Sequence, residues 1–120
     1  MNPPEPRAPK VTVAIPTYNR AKYLRQTLVG IAAQRFPREA VEVLVIDNNS
    51  TDHTAAVVGE FASARPAPRL IRESRQGLDY ARNRAIAEAR GEWLLWLDAD
   101  DRLAAVDAGR IRKLLEGPRD

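Results

Sequence analysis

The apolar positions of this chain switch repeatedly between a period near two and a period near 3.6. Val11, Val13 and Ile15 alternate with Thr12 and Ala14, a β-branched pattern that predicts a strand ending at Pro16. Thr17-Tyr18-Asn19 reads as a turn with Asn19 as helix N-cap, because Ala21, Leu24, Leu28, Ile31 and Ala32 then recur at helical spacing to about Arg35. A second strand, Val41 to Ile46, ends at Asp47, and Asn48-Asn49-Ser50-Thr51-Asp52 is dense in turn and capping residues. A helix carrying Val57, Val58 and Phe61 runs to the break at Pro66-Ala67-Pro68, and a short third strand covers Arg69 to Arg72. Ala81, Ala85 and Ala89 sit four apart, an alanine face suited to close helix packing, with Gly91 as the expected C′ stop. Glu92 to Leu97 is the fourth strand, and Trp93-Leu94-Leu95-Trp96 reads as buried on both faces. A final amphipathic helix carries Val106, Ile111, Leu114 and Leu115.

Strands alternating with helices call for an α/β fold: a Rossmann-like parallel sheet flanked by helices. The expected order is 3-2-1-4, with two crossovers extending the sheet one way and the third returning past the first strand. Ligands of such sheets bind at the carboxyl ends of the strands, where the order reverses, so a crevice is expected between the first and fourth strands. Residues 1 to 9 form a tail with four prolines, and residues 10 to 120 form the domain.

Composition narrows the function classes. Absence of cysteine removes disulfides and thiolate metal sites. No apolar run approaches the roughly 20 residues that span a bilayer, and the amino terminus lacks a signal-peptide core. The expected location is the cytoplasm, free or peripheral to the inner face of the membrane. A net charge of +3 is spread among acidic residues without interleaved aromatics, so no nucleic-acid platform is expected.

The most distinctive chemistry is Asp98-Ala99-Asp100-Asp101, delivered at the end of the fourth strand. Asp-x-Asp in an extended segment puts two hard oxygen ligands on one side, which suits Mg²⁺ or Mn²⁺ shared with phosphate oxygens. A solvated acidic turn is the plainer alternative, and Asp101 reads best as a cap for the final helix. Asp47 resembles the ribose-binding acid of a dinucleotide fold, yet Pro16-Thr17-Tyr18-Asn19 contains no glycine to admit a pyrophosphate. Arg82, placed in the first turn of its helix, can fork onto phosphate; the plainer alternative is a surface arginine or a structural pair with Asp47 or Asp98. His53, the sole histidine, is assigned no role.

The segments VTVAIPTYNRAKYLRQTL, VEVLVIDNNSTDHT and GLDYARNRAIAEARGEWLLWLDADD resemble the amino-terminal half of the family 2 glycosyltransferases with the GT-A fold, in order and at the expected spacing from Lys10 to Leu103. The resemblance implies transfer of a sugar from a nucleotide diphosphate donor, most often UDP-linked, to a hydroxyl. By the same resemblance Pro16, Thr17 and Tyr18 would line the base pocket and Asp47 would hydrogen-bond the base. Arg82 would lie at the diphosphate side, Asp98 would contact the ribose or the metal's hydration shell, and Asp100 would ligate Mg²⁺ or Mn²⁺. Ala85 stands where many relatives have glycine.

Length is the departure from the family: the catalytic domain of these enzymes is roughly twice as long, and its second half supplies the acceptor site and the base of inverting members. Asp107, Glu116 and Asp120 read as surface charges rather than that base. The expectation is a donor-binding half with an incomplete active site, completed by a missing carboxyl-terminal half or a second chain. The alternative is a non-catalytic nucleotide-binding or partner-binding module, a truncated gene product. In either case the fourth strand would present an open apolar edge, and the last helix would expose its apolar face.

Overall fold

A computed structural model describes residues 8–98 and 105–116. The chain runs β1 (Val11–Thr17), α1 (Ala21–Gln34), β2 (Val41–Asp47), α2 (Thr54–Gly59), β3 (Pro68–Arg72), α3 (Leu78–Glu88), β4 (Trp93–Trp96) and α4 (Ala105–Glu116). All pairings are parallel and the sheet order is β3-β2-β1-β4, as the crossover argument required.

Period two on the central strands sorts side chains to two different cores. Val11, Val13 and Ile15 of β1 and Val41, Val43 and Val45 of β2 face α1, α2 and α4, packing with Leu24, Leu28, Ile31, Val57 and Ile111. The alternate positions Ala14, Leu44 and Ile46 meet Ala81 and Ala85 of α3. Alanines on both partners let α3 lie close over the centre of the sheet.

Several local expectations are corrected. Trp93 and Trp96 are 48% and 38% exposed rather than buried, because β4 has β1 as its one neighbour among the described residues. The apolar face of α4 is not exposed: Ile111 and Ala108 are buried in the larger core, with Leu114 and Leu115 packed against it. Gly91 does not stop α3, which ends at Glu88 with Ala89 already extended. Its reason is space, since a Cβ there would lie 2.6 Å from the Thr12 backbone nitrogen and 2.8 Å from its Oγ1. Asn19 does not cap α1. It adopts φ +50°, and the carboxylate of Asp52, from the following loop, accepts from the Ala21 N–H at 3.1 Å. Phe61 lies beyond α2 but still packs on the core. No helix among the described residues is long and apolar enough to cross a membrane.

Candidate functional site

The parallel register sets Thr17 beside Asp47, and Asp47 beside Arg72, at the carboxyl edge of the sheet. The last paired position of β4 is Trp96 against Ala14, and the Leu97 N–H donates to the Ala14 carbonyl at 2.9 Å. Asp98 follows directly and is exposed at the same edge, so the groups at the ends of three strands do share one rim. Asp100 and Asp101 lie outside the described residues.

Side-chain amides, hydroxyls and carboxylates hold this rim together. Asn19 Oδ1 accepts from the backbone N–H groups of Thr51 at 2.7 Å and Asp52 at 3.3 Å, and Ser50 Oγ accepts from the Asn19 N–H at 2.9 Å. Asp52 also accepts from the N–H and hydroxyl of Thr54. Burial pushes the Asp52 carboxyl up, but the hydrogen bonds from Thr54 and Ala21 outweigh it and hold it below the ordinary range. Asp47 is buried, with its carboxylate accepting from the Ser50 N–H at 2.9 Å.

The loop between β3 and α3 is clamped by Asn48, which is itself buried. Its Nδ2 donates to the carbonyls of Glu73 at 3.0 Å and Arg75 at 2.7 Å. Its Oδ1 accepts from the Gly77 N–H at 2.8 Å. Asn49 Nδ2 adds a bond to the Ser74 carbonyl at 2.7 Å. Gly77 enters α3 at φ +139°, a backbone state that side chains rarely adopt. Glu73 is buried beneath the loop, and hydrogen bonds from the Arg75 side chain and backbone hold its carboxyl below the usual carboxylate range. The Arg75 guanidinium also stacks 4.8 Å from the Tyr80 ring centroid.

These loops enclose a cavity of about 240 Å³ lined by Pro16, Thr17, Tyr18, Asn48, Gln76, Gly77, Leu78 and Ala81. Thr17 is among the lining residues, while its Oγ1 is buried without a hydrogen-bond partner among the described residues. Leaving such a hydroxyl unsatisfied costs about 1–3 kcal/mol.

The three expected base-pocket residues are thus together, but the cavity lies under α3 against β1 and the loop after β2. Asp47 and the residues of β4 are not among those that line it. Arg82 is in the second turn of α3, not the first. It has no ion pair with Asp47 or Asp98 among the described residues, and its guanidinium lies 5.8 Å from the Trp96 ring centroid. Sequence reasoning missed Asn48, Gln76 and Leu78 as wall residues. The glycine just ahead of the alanine face was the available signal, because it marks a loop that must turn sharply into a helix.

A family model described as Glycosyl transferase family 2 matches residues 12–119. The chain is 38% identical over 93 residues to Glycosyltransferase AglE of Haloferax volcanii, covering 77% of this chain and 31% of that protein. It is similar in fold to the crystal structure of Staphylococcus aureus TarS 1-349 in complex with UDP-GlcNAc, with TM-score 0.72 and 33% identity over 84% of this chain and 30% of that one. Mannosyltransferase PcManGT from Pyrobaculum calidifontis, in complex with GDP-Man and Mn²⁺, gives TM-score 0.77 and 36% identity over 93% of this chain and 33% of that one. The chain spans about a third of the length of these relatives.

Proposed function

The chain belongs to glycosyl transferase family 2, and from that membership we propose that it binds a nucleoside-diphosphate sugar, through a divalent metal, for transfer of the sugar to a hydroxyl acceptor. Its sheet is the amino-terminal part of a GT-A fold. The observation that carries the reading is the cavity walled by Pro16, Thr17 and Tyr18 at the carboxyl edge of the sheet, where Thr17 pairs in register with Asp47. A nucleobase is a flat apolar plate with a polar edge, and this cavity joins apolar residues, Pro16, Leu78 and Ala81, to polar ones, Asn48 and Gln76.

In this reading Pro16, Thr17 and Tyr18 form the wall against the base, with Leu78 and Ala81 opposite. The carboxylate of Asp47 has lone pairs beyond the one given to Ser50, so it would accept an N–H of the base, such as uracil N3–H. Asn48 positions rather than binds, holding the Gln76–Gly77 turn against the cavity. Arg82, steadied by the face of Trp96, would serve the diphosphate. Asp98 would contact the ribose or the hydration shell of the ion.

The donor set fits a hard cation: Asp98 offers carboxylate oxygen at the rim, Asp100 follows two positions later, and the chain has no cysteine. Bound Mg²⁺ or Mn²⁺ would supply Lewis-acid stabilisation of the departing nucleoside diphosphate. No residue of this chain is assigned as the base that activates the acceptor, so that group is proposed to come from a further segment or a second chain.

Calorimetry with UDP, with Mn²⁺ or with chelator, tests the proposal. Binding is expected to need the ion, and Asp100→Ala should remove that dependence. Asp47→Ala should weaken UDP about tenfold or more while leaving metal dependence intact, since a buried base contact is lost. Equal affinity in both buffers would remove the bridging role.

A further inference from the structure

At the opposite end of the sheet lies a second cavity, of about 420 Å³, that donor binding does not use. Its wall gathers arginines from separate segments. Arg38 comes from the α1–β2 connection, Arg65 from the α2–β3 connection, Arg69 from β3 and Arg90 from the α3–β4 connection. Two carboxylates, Glu39 and Glu42, accompany them.

Glu42 is already committed. Arg69 Nη2 donates to its Oε1 at 2.8 Å, while Thr12 Oγ1 and the Arg90 N–H donate to its Oε2 at 2.8 and 3.0 Å. Arg69 is committed as well, donating to the Glu88 carbonyl at 2.6 Å and to the Glu88 carboxylate at 3.4 Å. This half-buried network forms a fixed floor. By contrast, Arg38, Arg65 and Arg90 are exposed and form no ion pair among the described residues. Arg65 makes only a local bond to the Ala64 carbonyl at 3.0 Å. Three guanidiniums against Glu39 leave a surplus of two positive charges in one concave site.

We propose that this cavity is an anion site for a phosphate group, held by Arg38, Arg65 and Arg90 above the Glu42–Arg69 pair. The planar fork of arginine matches phosphate oxygens, and the surplus charge matches a phosphate dianion better than a single carboxylate. A concave wall with its floor already ordered lowers the entropy lost on binding. The site lies across the sheet from Asp47, so its occupant leaves the donor cavity free. A soluble phosphate compound and a phospholipid headgroup offer the same chemistry.

The full chain is titrated with inorganic pyrophosphate in chelator, where metal-dependent diphosphate binding is silent. In parallel it is co-sedimented with phosphatidylcholine vesicles with and without phosphatidic acid. Saturable binding of at least one probe is expected. It should weaken about tenfold for each guanidinium removed, in Arg38→Ala and in Arg38→Ala/Arg90→Ala, as loss of a charged hydrogen bond implies. Arg110→Ala/Lys113→Ala, on the exposed side of α4, removes the same charge elsewhere and should change nothing. Pyrophosphate binding alone identifies a soluble ligand, and vesicle binding alone identifies a headgroup. No binding of either probe, no effect of the cavity variants, or equal weakening in the α4 pair would overturn the proposal.

Discussion

The two faces of the sheet are built on different principles. The face covered by α1, α2 and α4 packs Leu24, Leu28, Ile31, Val57 and Ile111 against three β-branched positions on each central strand, and it leaves the rim alone. The face covered by α3 packs alanine against alanine and two larger residues of β2, and the same helix forms one wall of the 240 Å³ cavity through Leu78 and Ala81. One face is tolerant in function and sensitive in volume lost. The other is sensitive to volume gained, because close approach of α3 is what shapes the cavity.

The largest expected effect lies on the first face. Leu24 is fully buried there, and Leu24→Ala should cost about 2–5 kcal/mol in denaturant unfolding. Under conditions where the variant remains folded, UDP affinity should be unchanged; a parallel loss of affinity would erase the distinction between the faces.

Next comes Ala81→Leu on the second face. Ala81 is buried and also lines the cavity, so the larger side chain should cost about 1–3 kcal/mol by overpacking. Nucleotide binding should be lost in the same variant, by calorimetry, because the added side chain either fills the slot or lifts α3. Retained affinity would place the base elsewhere.

The smallest effect is on the clamp beneath the cavity. Glu73 is held below its ordinary value of 4.5, chiefly by Arg75, so the unfolded chain takes up a proton more readily than the folded one. Its contribution is therefore complete above that ordinary value and is lost as pH falls through the lower, folded value. Thermal unfolding of the wild type and Glu73→Gln from neutral pH to about pH 3 should show a gap that closes in acid. A gap that is constant with pH would mean that the Glu73 charge carries none of the stabilisation.

Much of this architecture was legible in the residue pattern. Alternation in Val11–Ile15, helical spacing from Ala21 to Ile31 and the apolar run before Asp98 fixed element types and the parallel order, since burial on one face imposes its period on the chain. That Thr17, Asp47 and Asp98 share one rim was also legible, because strand ends of a parallel sheet share one edge. The rest was not legible, because it depends on contacts between distant segments. Asn19 looks like a cap for its own helix, yet it serves the loop 32 residues later, while Asp52 of that loop caps α1 in return. Gly91 looks like a helix stop and is instead a gap for the Thr12 backbone.

By itself, then, the sequence determined the alternation of strands and helices, the sheet order, the family and the residues at the strand ends, because period, turn chemistry and ordered motifs are local properties of the chain. Tertiary structure alone decided that a cavity lies under α3, that Asn48 clamps the loop beside it, and that four arginines from separate segments meet at the other end of the sheet. Which side chains meet across a fold is set by how closely its layers approach, and here the alanines facing one another between β1 and α3 set that distance.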